Sequence, residues 1–314
     1  MTTTEIALVK DSFLPLQPMK NKLALIAFAL ALALTAALAP AQVPAHLDIG
    51  LDLVDQIAAA QSQGVIDKPN TSPAIPCNRY GGSWNSASNP SGYTLANLAQ
   101  GIYAENNTTC APLVTHLLKN VYHWSWSKVA FIDPFTHQST TSASPTPYRY
   151  VALMKQSKGF PDGPVAQLAE VRAGYVFSIW EPGLAQQDHD HTGLVVAVAA
   201  QGIAYPAHPD ANPALAGATL VPVTILDSTS SPHGPGDSRT FVYNHTAYSI
   251  PGAGTGVMGV LVDAQGNILG HTSSIPAADV ATAPAHWLSQ FATRFRPQAE
   301  REIVFARHEK QAAN

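Results

Sequence analysis

The sequence is poor in charge. Only 12% of its 314 residues are Asp, Glu, Lys or Arg, and the formal net charge is −4 at pH 7. Proteins that bind nucleic acid through its phosphates carry a basic surface, and no basic stripe occurs here. The chain also has no G-x-x-x-x-G-K-[ST] motif and no G-x-G-x-x-G after a predicted strand. We therefore expect no nucleic-acid partner, and the sequence gives no support for a phosphate-binding loop.

Cysteine is equally scarce, with Cys77 and Cys110 the two examples. In an oxidising compartment these residues can form a disulfide. On loop-entropy grounds it would stabilise the fold by about 3 kcal/mol. The same bond would block either sulfur as a nucleophile. A Cys77–Cys110 disulfide is therefore one alternative, and a free reactive thiol at Cys110 is the other.

One long hydrophobic run stands near the N-terminus. The basic stretch Met19-Lys20-Asn21-Lys22 precedes apolar residues 23–39, and Ala39-Pro40-Ala41 follows. A positive region, an apolar core and an A-x-A ending are typical of a secretory signal peptide. We predict a signal peptide over residues 1–41, with 1–18 as an upstream extension, and a secreted or periplasmic protein without a stable membrane span after cleavage. A membrane anchor is the alternative.

The remaining chain divides by its hydrophobic pattern. Residues 42–104 are expected to be a helical and loop-rich lead-in, 105–297 the main domain, and 298–314 a charged C-terminal tail forming a surface helix or frayed end. Helices are predicted at 47–63, 94–103, 110–122 and 148–155, and strands at 174–180, 194–198, 221–226, 257–262 and 268–270. Helices followed by a run of strands predict an α+β fold in which the helix starting at Cys110 packs on an antiparallel sheet.

Cys110 is predicted to open an amphipathic helix. Val114, Leu117 and Val121 follow at helical spacing, which places the cysteine at the top of the buried stripe. The positive end of the helix dipole and nearby backbone N–H groups lower the pKa of a thiol and favour the thiolate. A small buried hydrophobic residue is the alternative role.

A base for this thiol is available in the strands. His191 comes directly before a predicted central strand, and the small residue Gly193 is expected to leave room above the sheet beside it. Asp227 ends the next predicted strand, where it could hold the second ring nitrogen of the histidine. A helix-borne thiol, a strand-borne imidazole and an orienting carboxylate are the parts of a Cys-His-Asp nucleophilic site.

Three segments resemble the NlpC/P60 superfamily of papain-like cysteine hydrolases over about residues 105–265. They are C-A-P-L-V-T-H-L-L from Cys110, R-A-G-Y-V-F-S-I-W ending at Trp180, and H-T-G-L-V-V from His191. The resemblance implies a papain-like α+β fold with Cys110 as nucleophile, His191 as base and Asp227 as orienting residue. Tyr175 and Ala111 depart from it, because the family commonly has Asp and Ser at these positions.

The resemblance further implies cleavage of an amide bond through a thioacyl-enzyme, with cell-wall peptides as the substrate class and no metal or other cofactor. The loop after Asp227 adds His233, Asp237 and Arg239 as candidates for substrate contact, with turn structure as the alternative. Trp180 is the aromatic candidate for substrate binding, with packing as the alternative.

Three competing functions stay open. His189, Asp190, His191 and His233 are residue types that bind zinc, and His-x-His on a strand is a ligand spacing. Ser228 or Ser230 with His233 would form a serine hydrolase, although no G-x-S-x-G elbow is present. The third alternative is a catalytically inactive exported binding or scaffold domain, with the Cys77–Cys110 disulfide closing its site.

Overall fold

The computed structural model describes residues 43–67, 77–81, 92–183 and 190–311, which lie in one compact unit beginning at Val43. The predicted signal peptide and His189 lie outside the described residues. Among the helices of the described part, none is both long and apolar enough to cross a bilayer.

Four α-helices are described: α1 (Ala45–Ser62), α2 (Cys110–Tyr122), α3 (Pro147–Lys155) and α4 (Pro284–Arg294). The predictions of the first three are confirmed. The predicted helix at 94–103 is wrong, since its start belongs to a strand and only Leu98–Gln100 forms a 3₁₀ turn. Helix α4 was not predicted, and it packs Trp287, Leu288 and Phe291 against apolar residues of the sheet.

An eight-stranded antiparallel sheet forms the centre of the molecule. Its strands are β6 (Val176–Trp180), β7 (His191–Val198), β8 (Ile203–Ala204), β9 (Thr219–Thr229), β12 (Gly252–Val262), β13 (Ile268–Thr272), β14 (Phe295–Pro297) and β15 (Glu302–Ala306). The order is β14-β13-β12-β9-β7-β6-β15, with β8 also paired to β9. All five strands predicted from the sequence are present in it.

The other described strands form three smaller sheets. They comprise β1 (Asn78–Arg79), β2 (Tyr93–Thr94) and β3 (Glu105–Asn107) in one sheet, β4 (Phe131–Ile132) with β5 (Ser139–Thr140), and β10 (Thr240–Tyr243) with β11 (Thr246–Ser249). The first of these sheets lies directly before α2, so it holds the segment that enters the helix at Cys110.

The main sheet curls so that its two ends approach each other. A flat sheet with seven strands along its path would be about 29 Å wide. Yet β14 and β15, at opposite ends of the order, are joined only by residues 298–301, which span at most about 18 Å. Gln298 also bridges the ends, donating to the Leu269 carbonyl of β13 and the Ile303 carbonyl of β15.

This arrangement corrects the expectation of a surface tail over residues 298–314. Strand β15 pairs with β6, and four of its five residues are buried. In the sequence, charged residues flank the apolar I-V-F-A segment of β15, so the whole segment resembles a charged tail. The described residues of this segment therefore belong to the folded domain.

Alternate residues of each central strand serve two cores. Val176, Leu194 and Leu226 face helices α1–α3, whereas Phe177, Val195 and Ile225 face the interior of the curled sheet. This alternation follows from the two-residue repeat of a strand. Helix α2 lies on β7 and β9, so the coarse prediction of a mixed α+β fold with a helix on an antiparallel sheet is confirmed.

Candidate active site

Cys110 is the first residue of α2 and is 5% exposed. Leu113, Val114, Leu117 and Leu118 are fully buried below it, so the apolar stripe fixes the helix against the sheet. Cys110 lines a cavity of about 410 Å³, here called the thiol cleft, whose lining also includes Tyr80, Thr109, Asp190 and Ser230. The cysteine therefore occupies a helix start, as the sequence predicts, and this helix start lies at a cleft.

The sheet brings His191 and Asp227 together. Pairing of Leu194 with Leu226 sets the start of β7 beside the end of β9. The His191 Nε2 atom then lies 2.5 Å from Asp227 Oδ2. Because Nε2 faces the carboxylate, Nδ1 is the ring nitrogen left for the side-chain hydrogen bond with Cys110. The three residues form a continuous Cys-His-Asp arrangement.

The charges within this arrangement favour an ion pair. Burial raises the pKa of the Cys110 thiol, but the hydrogen bond and charge of His191 and the N–H groups of Ala111 and Thr192 outweigh it, and the pKa lies below its usual value. Burial lowers the pKa of His191, but the charge and hydrogen bond of Asp227, together with Cys110, raise it to about 10. These interactions therefore favour a thiolate beside an imidazolium over the two neutral forms.

Gly193 has a different role from the one expected. A Cβ atom there would lie 2.6 Å from the Phe177 ring and 2.7 Å from the Leu226 carbonyl oxygen. The space beside His191 is thus filled by Phe177, whose ring centroid is 6.0 Å from that of His191. The glycine permits this packing, which restricts the position of the imidazole.

A buried network of ion pairs holds Asp227 in position. Arg239 donates from Nη1 to Asp227 Oδ1 at 2.7 Å, and from Nη2 and Nε to the Asp237 carboxylate at 2.6 and 2.8 Å. Burial raises the pKa of Asp227, but the positive charges of Arg239, His233 and His191 hold it well below its usual value. Asp237 and Arg239 are 2% and 1% exposed, so the prediction that they contact substrate is wrong.

His233 is the second histidine on Asp227. Its Nε2 lies 2.7 Å from Asp227 Oδ2, and its Nδ1 lies 2.6 Å from the Ser273 carbonyl oxygen. These two contacts hold the imidazole ring in place between Asp227 and Ser273. His233 also lines a second cavity beside His191, where the predicted substrate contact remains a prediction.

Trp180 is not brought to the site. It ends β6 and packs edge-on against Phe135, with ring centroids 6.0 Å apart, and it lines neither cavity. Ser228 is also excluded as a nucleophile, because it is fully buried and its hydroxyl donates to the Thr108 carbonyl at 2.7 Å. Ser230 lines the thiol cleft.

The segment before Cys110 is tied to β9 and β12. Asn78 exchanges two 2.8 Å hydrogen bonds with the backbone of Ala253, and Asn106 donates to Asn78 and accepts from Thr108. Cys77, next to this network, is buried, and neither cysteine forms a disulfide. The alternative of a Cys77–Cys110 disulfide is therefore absent from the structure, and the Cys110 sulfur is not blocked by it.

Sequence reasoning missed the use of the glycines in β12. Gly252, Gly254 and Gly256 alternate along the strand and share one face. Cβ atoms on this face would meet Asn78 at Gly252, the Arg239 side chain at Gly254, and Asp237 at Gly256. The G-x-G-x-G pattern is thus the signal for a buried polar network above this strand, and it has no role as a phosphate loop.

Replacing Gly256 with alanine is expected to disturb this network. The new Cβ would lie 2.5 Å from Asp237 Oδ2 and 2.8 Å from His233 Cβ. We expect a loss of about 1–3 kcal/mol in the free energy of unfolding, measured by urea denaturation, together with slower alkylation of Cys110. Thr255→Ala on the opposite face is the matched control, with a change of about 0.5 kcal/mol or less. Equal stability of the two variants would contradict this role.

The described residues contain one group suited to a metal ion, namely His191, Asp227 and His233, whose ligand atoms lie within 4.8 Å of one another. In tetrahedral zinc coordination, nitrogen and oxygen ligands are about 3.4 Å apart. Here both histidine nitrogens contact Asp227 Oδ2 at 2.5 and 2.7 Å, and Arg239 already neutralises the carboxylate. These distances fit hydrogen bonds, so we do not propose a metal site.

The fold and the site define an α+β protein with a buried Cys-His-Asp arrangement. Comparison with protein-family models, with curated proteins and with solved structures gives no match for the chain.

Proposed function

We propose that this protein is a cysteine hydrolase of papain-like architecture that cleaves an amide bond. The observation that carries the proposal is the hydrogen-bonded sequence Cys110–His191–Asp227, in which the thiol pKa is lowered and the imidazole pKa is raised to about 10. A thiolate is the nucleophilic form of cysteine, and its imidazolium partner is a ready general acid.

The reaction divides into acylation and deacylation. The Cys110 thiolate attacks the carbonyl carbon, and the backbone N–H of Cys110, at the start of α2, stabilises the oxyanion that forms. His191 donates its proton to the leaving nitrogen as the C–N bond breaks, which leaves a thioester and a free amine. Water then attacks the thioester while His191 accepts its proton, and the acid and the thiolate are released.

The remaining residues support this reaction by position. Asp227 keeps Nε2 of His191 protonated and directs Nδ1 to the sulfur. Arg239 in turn fixes Asp227 through a 2.7 Å bond and has no solvent exposure of its side chain. The site is therefore preorganised by buried groups that do not reach the cleft.

For substrate and location we propose cell-wall peptides acted on outside the cytoplasm. The support comes from the sequence: a signal-peptide pattern at residues 1–41 and a motif-level resemblance to the NlpC/P60 superfamily. The thiol cleft, at about 410 Å³, has room for a peptide segment.

Turnover of peptidoglycan-derived peptides tests the proposal. We expect the unmodified protein to release new amino groups, Cys110→Ala to lose the activity entirely, and Cys77→Ala to retain it, because Cys77 lines neither described cavity. Amine release can be followed by fluorescent labelling and mass spectrometry. Equal release by the protein with and without Cys110 would contradict the nucleophile. Failure of all peptides with a reactive Cys110 would contradict the substrate class alone.

A further inference from the structure

A second cavity, of about 270 Å³, lies on the far side of the catalytic histidine. We call it the arginine cavity, because Arg294, Arg296 and Arg301 line it together with His271 and His191. It shares Tyr80, Asp190 and Ser230 with the thiol cleft, so one bound molecule can extend from Cys110 past His191 into it. The fold creates it where the two ends of the curled sheet approach each other.

The positive charge in this cavity is only partly neutralised. Arg301 Nη2 lies 3.3 Å from Glu181, a half-exposed carboxylate, and Asp190 is the acidic residue in the lining. Arg296 Nη1 donates to main-chain carbonyls of its own segment. Three guanidinium groups thus face a small volume beside Glu181 and Asp190, whereas the charge of His191 is balanced by Asp227.

Several buried side-chain nitrogens in the cavity wall lack partners. Arg294 Nη1, Arg301 Nε and His271 Nδ1 have no hydrogen-bond partner among the described residues. His271 is only 4% exposed, and a buried nitrogen without a hydrogen-bond partner destabilises the folded protein. Burial, Arg301, Arg296 and His191 lower the pKa of His271 to about 3. The positive charges in this region therefore act on His271 as well.

We propose that the arginine cavity binds an anionic oxygen-bearing group, a carboxylate or a phosphate, of the molecule that Cys110 attacks. The link to Cys110 rests on the proposed function, whereas anion binding itself does not. Guanidinium groups bind carboxylates and phosphates through paired, charge-assisted hydrogen bonds. Such a group would satisfy the open donors and hold the scissile carbonyl at a fixed distance from the sulfur.

Titration calorimetry on the full chain tests the proposal with three probes: glutarate, its neutral diamide glutaramide, and inorganic phosphate. We expect saturable binding of glutarate, phosphate or both, and none of glutaramide. Arg294→Gln and Arg296→Gln should each weaken binding about tenfold or more, since each removes a charge-assisted bond. Arg172→Gln, a matched change at an exposed arginine outside the cavity, should leave the affinity unchanged.

Thermal unfolding checks that each variant folds. If a variant does not fold, its measurement is replaced by the NMR ring resonances of His271 in the unmodified chain. These resonances should shift when the anion binds and should not change with glutaramide. Glutarate binding without phosphate binding identifies a carboxylate ligand, and the reverse identifies a phosphate. Binding of neither anion, or equal binding by the Arg→Gln variants, would overturn the proposal.

The same samples separate this proposal from the proposed function. Cys110 is alkylated with iodoacetamide in parallel. Arginine-dependent anion binding beside an unreactive Cys110 would support the cavity and contradict the hydrolase. A reactive Cys110 without anion binding would support the nucleophile and contradict the cavity.

Discussion

Replacing Arg239 with leucine is expected to lower the free energy of unfolding by about 3–5 kcal/mol, because the change leaves two buried carboxylates without their cation. Asp227 and Asp237 are almost wholly buried. Both form ion pairs with Arg239, whose side chain has no solvent exposure. Urea denaturation followed by circular dichroism measures the loss. Arg307→Leu, which breaks a pair with the exposed Asp162, should cost about 1 kcal/mol or less.

The Arg239 variant should also change the response to acid. The folded-state pKa of Asp227 lies well below its usual value, so its contribution to stability is present above about pH 4, its unfolded value, and is lost as the pH falls through the folded value. Removing the arginine raises the folded pKa and moves this loss to higher pH. Arg239→Lys keeps a charge without the two-pronged geometry and should fall between the two proteins. Unchanged stability in Arg239→Leu would contradict the network.

Asp227→Asn is expected to lower turnover about 10²-fold or more while the chain stays folded. The substitution preserves the shape of the side chain but removes the charge that, against burial, raises the pKa of His191 to about 10. The imidazole then loses its proton at lower pH, and the thiol keeps its own proton to higher pH. The measurement is the pH dependence of activity and of thiolate absorbance.

A purely structural role for Asp227 would lower activity equally at all pH values. The expected signature is a rise of the apparent thiol pKa, which structural loss alone would not produce. Asp237→Asn is the control, since the Asp237 carboxylate accepts hydrogen bonds from Arg239 and from the backbone N–H of His233. It should cost stability and leave the apparent thiol pKa in place. An identical pH profile in Asp227→Asn and the unmodified chain would contradict the role of Asp227.

Local patterns were sufficient to predict much of the framework. The helix at Cys110 has a continuous apolar stripe, and β7 and β9 consist of strand-forming residues, so each is determined by its own sequence. Cys110, His191 and Asp227 occupy the ends of these elements. Their placement could therefore be anticipated from element boundaries, and the structure brings all three together.

The rest depends on contacts between distant segments. In the sequence, Arg239 lies near Gly, Ser and Asp, as a loop residue would. Its burial depends on the pairing of β9 with β12 and on the space that the missing side chain of Gly254 leaves for it. Strand β15 lies between charged residues in the sequence, and it becomes part of the main sheet by pairing with β6. The identity of Trp180 as an aromatic residue makes it a candidate for substrate binding, but its contact with Phe135 depends on a distant segment.

The most direct test of the central claim is the rate at which iodoacetamide alkylates Cys110 between pH 5 and 9, with sites assigned by mass spectrometry. A thiolate already paired with His191 should react at nearly the same rate at pH 6 and pH 9. In His191→Ala the rate should instead rise about tenfold per pH unit up to the pKa of an ordinary thiol, about 8.5. If Cys110 of the unmodified protein shows that same rise, it is a simple buried thiol, and the proposed hydrolase mechanism is wrong.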